Sequence, residues 1–284
     1  YAEHTVFEDN ETGLNAGLAF YANPFELLDD YGFVNDRNGE FNSFAQVDAL
    51  REASTNEAGR VYRTSRLKVG NRMSFDEYVK ACVEFAASET STSDGINDKY
   101  VYVDEARGKT SISSEKWKTC IASSKAAYPI SNSSDLACVA STSNVGNISN
   151  SGESVMIGNT GRLSCISSAG LDTTIANSGD GCFVSSSGDG TVIGNLGSST
   201  SIASSGVDTR VNSDGEDCVI CCAGDNSCVK ARKGSWITLS EWEYDKEKGR
   251  NVPVCVKTEY VDGDRIKEDT YYTLKDGEFC EADV

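Results

Sequence analysis

A branched aliphatic residue occupies every ninth position through the middle of the chain, from Ile112 to Val229. A fixed period over this length is typical of a solenoid, in which each repeat stacks on the next. Nine residues are too few to close a coil around a core, whereas two repeats give 18 residues per turn. We therefore predict a mainly β fold with a two-sided β-solenoid over residues 103–234. The repeated positions are Ile112, Ile121, Ile130, Val139, Ile148, Ile157, Ile166, Ile175, Val184, Ile193, Ile202, Val211, Ile220 and Val229, and Val103 is a candidate fifteenth copy.

Each repeat is expected to supply one short strand and one bend. The Ile or Val is predicted to point inward as a plug, because a β-branched side chain suits a strand and stacks on its copy one turn above. A glycine follows four residues later from Gly152 onward, and we expect it to lie in the bend with a positive φ. These glycines are Gly152, Gly161, Gly170, Gly179, Gly188, Gly197, Gly206, Gly215 and Gly224.

Two further columns are defined by small or polar residues. Side chains two residues before the plug share its face and are expected to be buried, although a flat threonine face is also typical of ice-binding solenoids. These are Thr173, Cys182, Thr191, Thr200, Thr209, Cys218 and Ser227. Two residues after the plug, stacked Asn and Ser side chains are predicted to form a hydrogen-bonded ladder or, alternatively, a binding surface. These are Asn150, Asn159, Ser168, Asn177, Ser186, Asn195 and Ser204.

The two flanking segments have other patterns. Residues 1–100 are predicted to form an α/β head domain. It contains a helix that begins at Asn23-Pro24, strands near Val47 and over 61–69, and a helix opened by the capping box at Ser74–Glu77. Residues 235–284 alternate like strands around the turn dipeptides Asp262-Gly263 and Asp276-Gly277. We predict a small antiparallel meander that caps the coil, because an open terminal strand would recruit other chains.

The charge of the chain restricts its partners. The 44 acidic and 26 basic residues give a formal net charge of -18, which disfavours direct binding to nucleic acid or anionic membranes and favours a basic partner. No apolar run approaches the roughly 18 residues needed to span a bilayer. The eleven cysteines are an odd number and many lie within the repeat, which favours reduced thiols and a cytoplasmic location. With His4 as the one histidine, histidine-based zinc sites and triads are not expected, and we predict no cofactor.

Acidic residues recur one or two positions after the glycine. Stacking would place the carboxylates of one edge about 4.8 Å apart, so that the row imitates a phosphate backbone and captures a basic cleft. The alternative is a solvated edge that keeps the coil soluble. Calcium is a third interpretation, but the ligand pattern of calcium-binding β-rolls is missing. The candidate binding residues are Glu153, Asp172, Asp180, Asp189, Asp208, Glu216, Asp217 and Asp225.

Four cysteines that are close in sequence are candidate metal ligands: Cys218, Cys221, Cys222 and Cys228. The repeat register disfavours a metal site, because Cys218 and Cys222 fall in inward columns while the other two fall in outward ones. Cys120 and Cys138 lie 18 residues apart in one column, so that an 18-residue turn would stack them at a distance compatible with a disulfide.

A second copy of the chain is another candidate partner. The column directly after the plug is small, which would permit close packing of two coils into a homodimer. Its members are Ser149, Gly158, Ser167, Ala176, Ser185, Gly194 and Ala203.

The first 86 residues resemble an uncharacterised domain of bacterial and phage proteins that is often fused to repeats of the Ala-Asn-Ser-Gly-Asp type. The stretches that carry the resemblance are 17–31, 44–50, and 67–70 leading into the 74–86 helix, and 234–242 and 269–278 resemble the tail of the same proteins. The resemblance implies a phage or prophage accessory protein that acts in the host cytosol. It implies no chemistry.

Residues 17–31 also resemble a segment of ADP-ribosyltransferases, with Glu241-Trp-Glu243 and Ser91-Thr-Ser93 as companion motifs. The solenoid separates these motifs, and no nicotinamide-binding start is evident. We therefore expect a non-enzymatic protein that binds a host defence or nucleic-acid-handling protein through the acidic edge. A structural spacer or virion component and an ADP-ribosyltransferase head are the alternatives.

Overall fold

The computed structural model describes residues 3–9, 17–56, 59–91, 96, 99–104, 112–114 and 117–284. It is a mainly β structure in which a β-solenoid carries a head on one face and two hairpins at its end. The head contains β1 (Val6–Glu8), β2 (Leu18–Phe20), α1 (Pro24–Tyr31), β3 (Phe44–Ala49), β4 (Ala53–Thr55), β5 (Tyr62–Thr64), β6 (Arg66–Met73) and α2 (Phe75–Glu89).

The coil alternates between two long sheets. The first, which we call the covered sheet, contains β7 (Tyr100–Val103), β9 (Cys120–Ser123), β11 (Cys138–Ser141), β13 (Met156–Asn159), β15 (Thr174–Asn177), β17 (Val192–Asn195), β19 (Arg210–Ser213) and β21 (Cys228–Ala231). The second, the bare sheet, contains β8 (Ile112–Ser114), β10 (Pro129–Asn132), β12 (Asn147–Asn150), β14 (Cys165–Ser168), β16 (Phe183–Ser186), β18 (Ser201–Ser204), β20 (Val219–Cys222) and β22 (Trp236–Asp245).

The parallel register confirms the predicted 18-residue turn. Ile157 pairs with Ile175 on the covered sheet, and Ile148 pairs with Ile166 on the bare sheet. Cys120 pairs with Cys138, as the spacing predicted, and both are free thiols. The plugs from Ile121 to Val229 are buried and form one continuous core.

The other inward columns are also confirmed. The threonine column is buried, with Thr173, Thr191 and Thr209 at 0% exposure, so it offers no flat threonine face to solvent. Asn159 donates from Nδ2 to Asn177 Oδ1 at 2.8 Å, and Asn177 donates to Asn195 Oδ1 at 2.9 Å. The Asn side chains therefore form a structural ladder inside the coil, whereas Ser186 and Ser204 bond to Thr191 and Thr209 of their own coil.

The repeated glycine has a different reason from the one predicted. The glycines from Gly152 to Gly224 that follow the plugs do not have a positive φ. Instead, a Cβ on Gly188 would lie 1.9 Å from the carbonyl oxygen of Gly170 in the preceding coil, and a Cβ on Gly179 would lie 2.0 Å from that of Gly161. Close stacking of the coils excludes any side chain there. The positive φ falls two residues later, as at Asp172 and Asp208.

The head lies along the outer face of the covered sheet. Helix α2 packs on β7, β9 and β11, and the Phe33 ring lies over Gly158, where a Cβ would come within 2.7 Å of it. Farther along, the Gly39 carbonyl lies over Gly194. The head therefore rests on the small column directly after the plug, and it covers Gly158, Ala176 and Gly194 of the column predicted to pack against a second coil.

The local sequence patterns predicted the two helices of the head correctly and its strands in part. Asn23 caps α1 with Oδ1 accepting from Phe25 N at 2.9 Å, and Ser74 and Glu77 form the predicted capping box of α2. The region 61–69, predicted as one strand, is divided between β5 and β6, which belong to different three-stranded sheets.

Both ends of the coil differ in detail from the prediction. Val101 pairs with Ile121, so Val101 and not Val103 continues the plug column, and the coil begins at β7. The C-terminal segment forms two hairpins instead of one meander. β22 with β23 (Arg250–Tyr260) extends the bare sheet, and β24 (Tyr272–Lys275) with β25 (Glu278–Glu281) extends the covered sheet. Asp276-Gly277 is the turn of the second hairpin, as predicted.

Candidate protein-binding edge

The coil has two edges where the chain passes from one sheet to the other. The turns that lead from the bare to the covered sheet stack into one edge, which we call the acidic edge: 133–137, 151–155, 169–173, 187–191, 205–209 and 223–227. The turns that lead from the covered to the bare sheet form the mixed edge: 124–128, 142–146, 160–164, 178–182, 196–200 and 214–218.

The predicted binding residues divide between these edges. The acidic edge holds Glu153, Asp172, Asp189, Asp208 and Asp225. The mixed edge on the opposite side holds the other three, Asp180, Glu216 and Asp217. The eight residues are therefore not one row, because successive repeats turn at opposite edges.

One residue of the acidic edge was missed by the sequence reasoning. Asp135 lies in the turn before Glu153, and its Oδ1 accepts a hydrogen bond from Glu153 N at 2.9 Å. Asp135 follows Ser134, whereas the predicted acidic residues were identified by the glycine that precedes them. Counting 18 residues back from Glu153 would have found it.

Backbone hydrogen bonds hold the acidic turns in register. Asp172 N donates to Asp189 O at 2.9 Å, and Asp208 N donates to Asp225 O at 3.0 Å. Asp172 and Asp208 have φ of 50° and 56°, a conformation in which aspartate is tolerated better than most residues. Each coil consequently presents one carboxylate, which lies one or two residues after the glycine position of its turn.

The carboxylates of the acidic edge accept some hydrogen bonds within the chain but can still interact with a partner. Asp189 Oδ1 accepts from Val207 N at 2.8 Å, and Asp225 Oδ2 accepts from Asn251 Nδ2 at 2.9 Å. Asp135, Glu153, Asp172 and Asp189 are exposed, and the other two are half-buried. The capping contacts therefore fix the direction of the side chains while most of the row faces solvent.

The two edges differ in the sign of their charges. The six turns of the acidic edge are described in full and contain no Lys, Arg or His. On the mixed edge, Arg162 Nε lies 3.7 Å from Asp180 Oδ2. Beyond its last turn, Arg232 Nη2 lies 3.3 Å from Glu216 Oε1. The acidic row is thus not neutralised by its own turns, whereas Asp180 and Glu216 on the opposite edge are paired with arginines.

Cations bound the acidic row at both ends. Lys118 lies in the turn before 133–137, with Nζ 3.8 Å from Asp29 of α1. At the other end the β22–β23 hairpin, whose tip carries Lys246, Lys248 and Arg250, reaches Asp225 through Asn251. The uninterrupted row therefore extends from Asp135 to Asp225.

An ion cluster joins the head to this first end. The Glu26 carboxylate contacts Lys99 and Arg60. Burial favours the neutral form of Glu26, but the hydrogen bonds and charges of Lys99 and Arg60 hold its pKa below the ordinary value. Burial raises the pKa of neighbouring Asp29, against the opposing charges of Lys118 and Arg60. The cluster connects α1 to the start of the coil.

The motifs of the enzymatic alternative are not assembled by the described residues. Residues 17–31 lie in the head, whereas Glu241 lies in β22 and accepts from Asp276 N at 2.7 Å and Gly277 N at 2.8 Å. Thr92 and Ser93 lie outside the described residues. The Glu241 carboxylate thus caps the turn of the last hairpin.

The cysteines are distributed as the repeat register predicted. Cys218 and Cys222 are inside the coil, Cys221 faces outward on the bare sheet, and Cys228 lies on the outer face of the covered sheet, where it is buried. Burial raises the pKa of Cys228 to about 11 and that of Cys120 to about 12, so both are protonated at neutral pH. Among the described residues, no group of three His, Cys, Asp or Glu side chains is placed to hold a metal ion.

Among the described residues, no helix has the length and apolar character required to cross a membrane. No family model, no curated protein and no solved structure matches the chain.

Proposed function

We propose that the chain is a binding protein whose acidic edge captures the basic cleft of a nucleic-acid-handling protein. The observation that carries the proposal is the row from Asp135 to Asp225, with one carboxylate per coil and no cation in any of its six turns. A cationic cleft that evolved to hold phosphates is complementary to such a row, and its attraction to the row would be strongest at low ionic strength.

The spacing sets which nucleic acid the row resembles. Five intervals of about 4.8 Å give a row about 24 Å long. Duplex DNA carries one charge per about 1.7 Å of axis, or one per about 3.4 Å for each strand. The row is therefore closer in charge density to one strand than to a duplex. We expect its partner to have a narrow groove that follows a single backbone.

The biological setting belongs to the proposal. The resemblance of the first 86 residues to a domain of phage and bacterial proteins supports an accessory protein of a phage or prophage that acts in the host cytosol. A host defence protein that binds nucleic acid is a partner of the required chemistry. No catalytic step is assigned to the head.

Two matched variants test the proposal. The acidic-edge variant is Glu153→Gln, Asp172→Asn and Asp189→Asn, and the mixed-edge variant is Asp180→Asn, Glu216→Gln and Asp217→Asn. Each removes three charges. Asp172 and Asp217 both have a positive φ, and Asp189 and Asp180 both accept from a backbone N–H of the next coil. The two variants therefore differ mainly in which edge is neutralised.

The experiment is capture from host lysate at low and high salt, with elution by a DNA oligonucleotide. We expect the wild type and the mixed-edge variant to capture the same nucleic-acid-binding protein at low salt and to release it to DNA. The acidic-edge variant should lose most of this capture. Equal capture by both variants, or a captured protein that DNA does not displace, would contradict the proposal.

A structural spacer or virion component is the second candidate, favoured by the head that lies along the covered sheet and stiffens the coil. In that case association with particles would be insensitive to salt and to both variants.

A further inference from the structure

Across the six strands from β10 to β20, which are described in full, the outer face of the bare sheet has no charged residue. Three outward columns run across β10, β12, β14, β16, β18 and β20, and all 18 positions belong to the described residues and are exposed or half-exposed. A quarter of the chain is charged, and charged residues concentrate at surfaces, so about four or five charges would be expected here. A chain with a net charge of -18 can approach a second copy of itself most closely through such a face.

The three columns differ in size. The knob column precedes the plug and consists of Pro129, Asn147, Cys165, Phe183, Ser201 and Val219. The central column follows the plug and consists of Ser131, Ser149, Ser167, Ser185, Ala203 and Cys221. The third column consists of Ser133, Ser151, Ala169, Ser187, Ser205 and Ala223. A shallow groove of about 450 Å³ runs along the two small columns from β10 to β16.

Large side chains therefore stand beside a groove that fits them. Phe183 is 60% exposed and Val219 is 54% exposed, although both are large and apolar. The hairpin continues the knob column with Trp236, which is 49% exposed and packs on Tyr260. A ridge and a groove that run side by side along one face make that face complementary to itself.

The opposite face of the same coil shows how such a surface is covered. There the head places the Phe33 ring directly over Gly158 and Val34 beside Gly194. On the covered sheet, apolar side chains thus already pack on a column of small outward residues. On the bare sheet the corresponding columns have no such cover from the described residues.

We propose that two copies of the chain associate through the bare sheet, with a two-fold axis that runs along the central column, parallel to the coil. This axis places the knob column of each copy on the third column of the other at the same height. Phe183 would meet Ser187 of the second copy and Val219 would meet Ala223. The heads lie on the two outer faces of the dimer, and the two acidic edges lie on opposite sides of it.

The area sets the expected strength. The face measures about 30 Å by about 20 Å, so each copy would bury about 600 Å², below the roughly 800 Å² per partner of a standard interface. The dimer is accordingly expected to be weak and reversible. High salt should strengthen it by screening the repulsion between the two acidic chains, which is the opposite of its effect on capture by the acidic edge.

Matched alanine-to-glutamate variants test the proposal. Ala203 lies in the central column and would face its own copy across the axis, whereas Ala126 is exposed in a turn of the mixed edge. Sedimentation of the wild type should approach twice the 30.4 kDa mass as concentration rises. Ala203→Glu should weaken association at least about 30-fold, because it brings two like charges together. Ala126→Glu should leave association unchanged.

A charge swap separates this interface from general effects on folding. A mixture of Ala203→Glu and Ala203→Arg should restore association, because opposite charges would then face each other. A mass of 30.4 kDa at every concentration, equal weakening by both glutamate variants, or no recovery in the mixture would overturn the proposal.

The axis itself can be mapped with a short bismaleimide. Cys221 lies in the central column, so the reagent should join Cys221 of one copy to Cys221 of the other, and Cys221→Ala should abolish this product. Cys165 lies in the knob column, one column from the axis, so the two copies of Cys165 would be two columns apart. A crosslink between two Cys165 residues in place of this product would contradict the arrangement.

Discussion

The two edges of the coil share one backbone design and differ in charge. On both edges a glycine approaches the preceding coil closely, and a residue with positive φ follows it two positions later. On both edges a side-chain oxygen accepts from a backbone N–H of the next coil. The six turns of the acidic edge carry six carboxylates and no cation, whereas the six turns of the mixed edge carry four carboxylates together with Lys125 and Arg162. The glycine and the acceptor thus occur on both edges, whereas the row of charges occurs on one.

Neutral acceptors on the mixed edge make this point directly. Asn144 Oδ1 accepts from Arg162 N at 2.9 Å, in the same way that Asp135 accepts from Glu153 N at 2.9 Å. Ser198 Oγ accepts from Glu216 N at 3.3 Å. An amide or hydroxyl is thus sufficient for the turn, so the negative sign of the acidic edge calls for an explanation outside folding.

The largest expected effect tests the shared backbone. Gly188→Ala on the acidic edge and Gly179→Ala on the mixed edge should each destabilise the coil by about 3 kcal/mol or more, since the new Cβ would strike a carbonyl oxygen. Chemical denaturation measures both. Gly59→Ala is the control for a substitution without a steric clash, since no atom lies within 4 Å of its new Cβ and its cost comes from the positive φ of 70°. A large loss at one edge alone would show that the two edges are not built alike.

Buried polar side chains next to the two edges should differ in how much they contribute to the free energy of unfolding. Asn177→Ala removes hydrogen bonds to Gly179 O and Asn195 Oδ1, and we expect a loss of about 2 to 3 kcal/mol in the free energy of unfolding. Ser186→Ala removes one hydroxyl contact with Thr191, which keeps its bond to Gly188 O, and should cost about 1 kcal/mol. Equal losses in the two denaturation curves would mean that the amide ladder has no special role.

Neutralising the edges should have opposite effects on stability. The acidic-edge variant relieves repulsion between stacked carboxylates, so we expect a gain of up to about 1 kcal/mol at low salt that disappears at high salt. The mixed-edge variant loses the pairs of Asp180 with Arg162 and of Glu216 with Arg232, and should be neutral or slightly destabilised. Thermal unfolding at two salt concentrations measures both, and a destabilised acidic-edge variant would contradict the argument.

The smallest effect concerns the ion cluster at the first end of the acidic row. The folded-state pKa of Glu26 is lowered, so its contribution to stability is present above its ordinary pKa of 4.5 and is lost as pH falls through the folded value. Acidification from neutral pH should therefore lower the unfolding temperature of the wild type by a few degrees more than that of Glu26→Gln. If the unfolding temperatures of the two proteins depended on pH in the same way, Glu26 would not contribute to this pH dependence.

The sequence was sufficient for the architecture of the coil, because a strict period leaves few ways to bury Ile175 and its copies. It did not reveal where the head lies. Phe33 contacts Gly158 and Gly39 contacts Gly194, and these residues are far apart in the chain. Because glycine has no side chain, its presence in the sequence does not indicate that another residue packs on it. The role of the repeated glycine was likewise hidden, since both a positive φ and a close approach favour this residue.

The candidate site was predicted in part. Five of the six acidic-edge residues were found, but three from the opposite edge were grouped with them, because the repeat was treated as one column instead of two alternating ones. Asp135 was passed over because Ser134 replaces the glycine before it. The separation into two edges depends on the alternation of sheets, which the structure shows.

The most direct test of the account is the salt dependence of binding between the captured partner and the two matched variants. We expect the acidic-edge variant to bind more weakly and with a flatter salt dependence than the wild type, while the mixed-edge variant retains both the affinity and the slope. Equal slopes for the two variants would contradict it, because the charges of the acidic edge would then have no privileged part in binding.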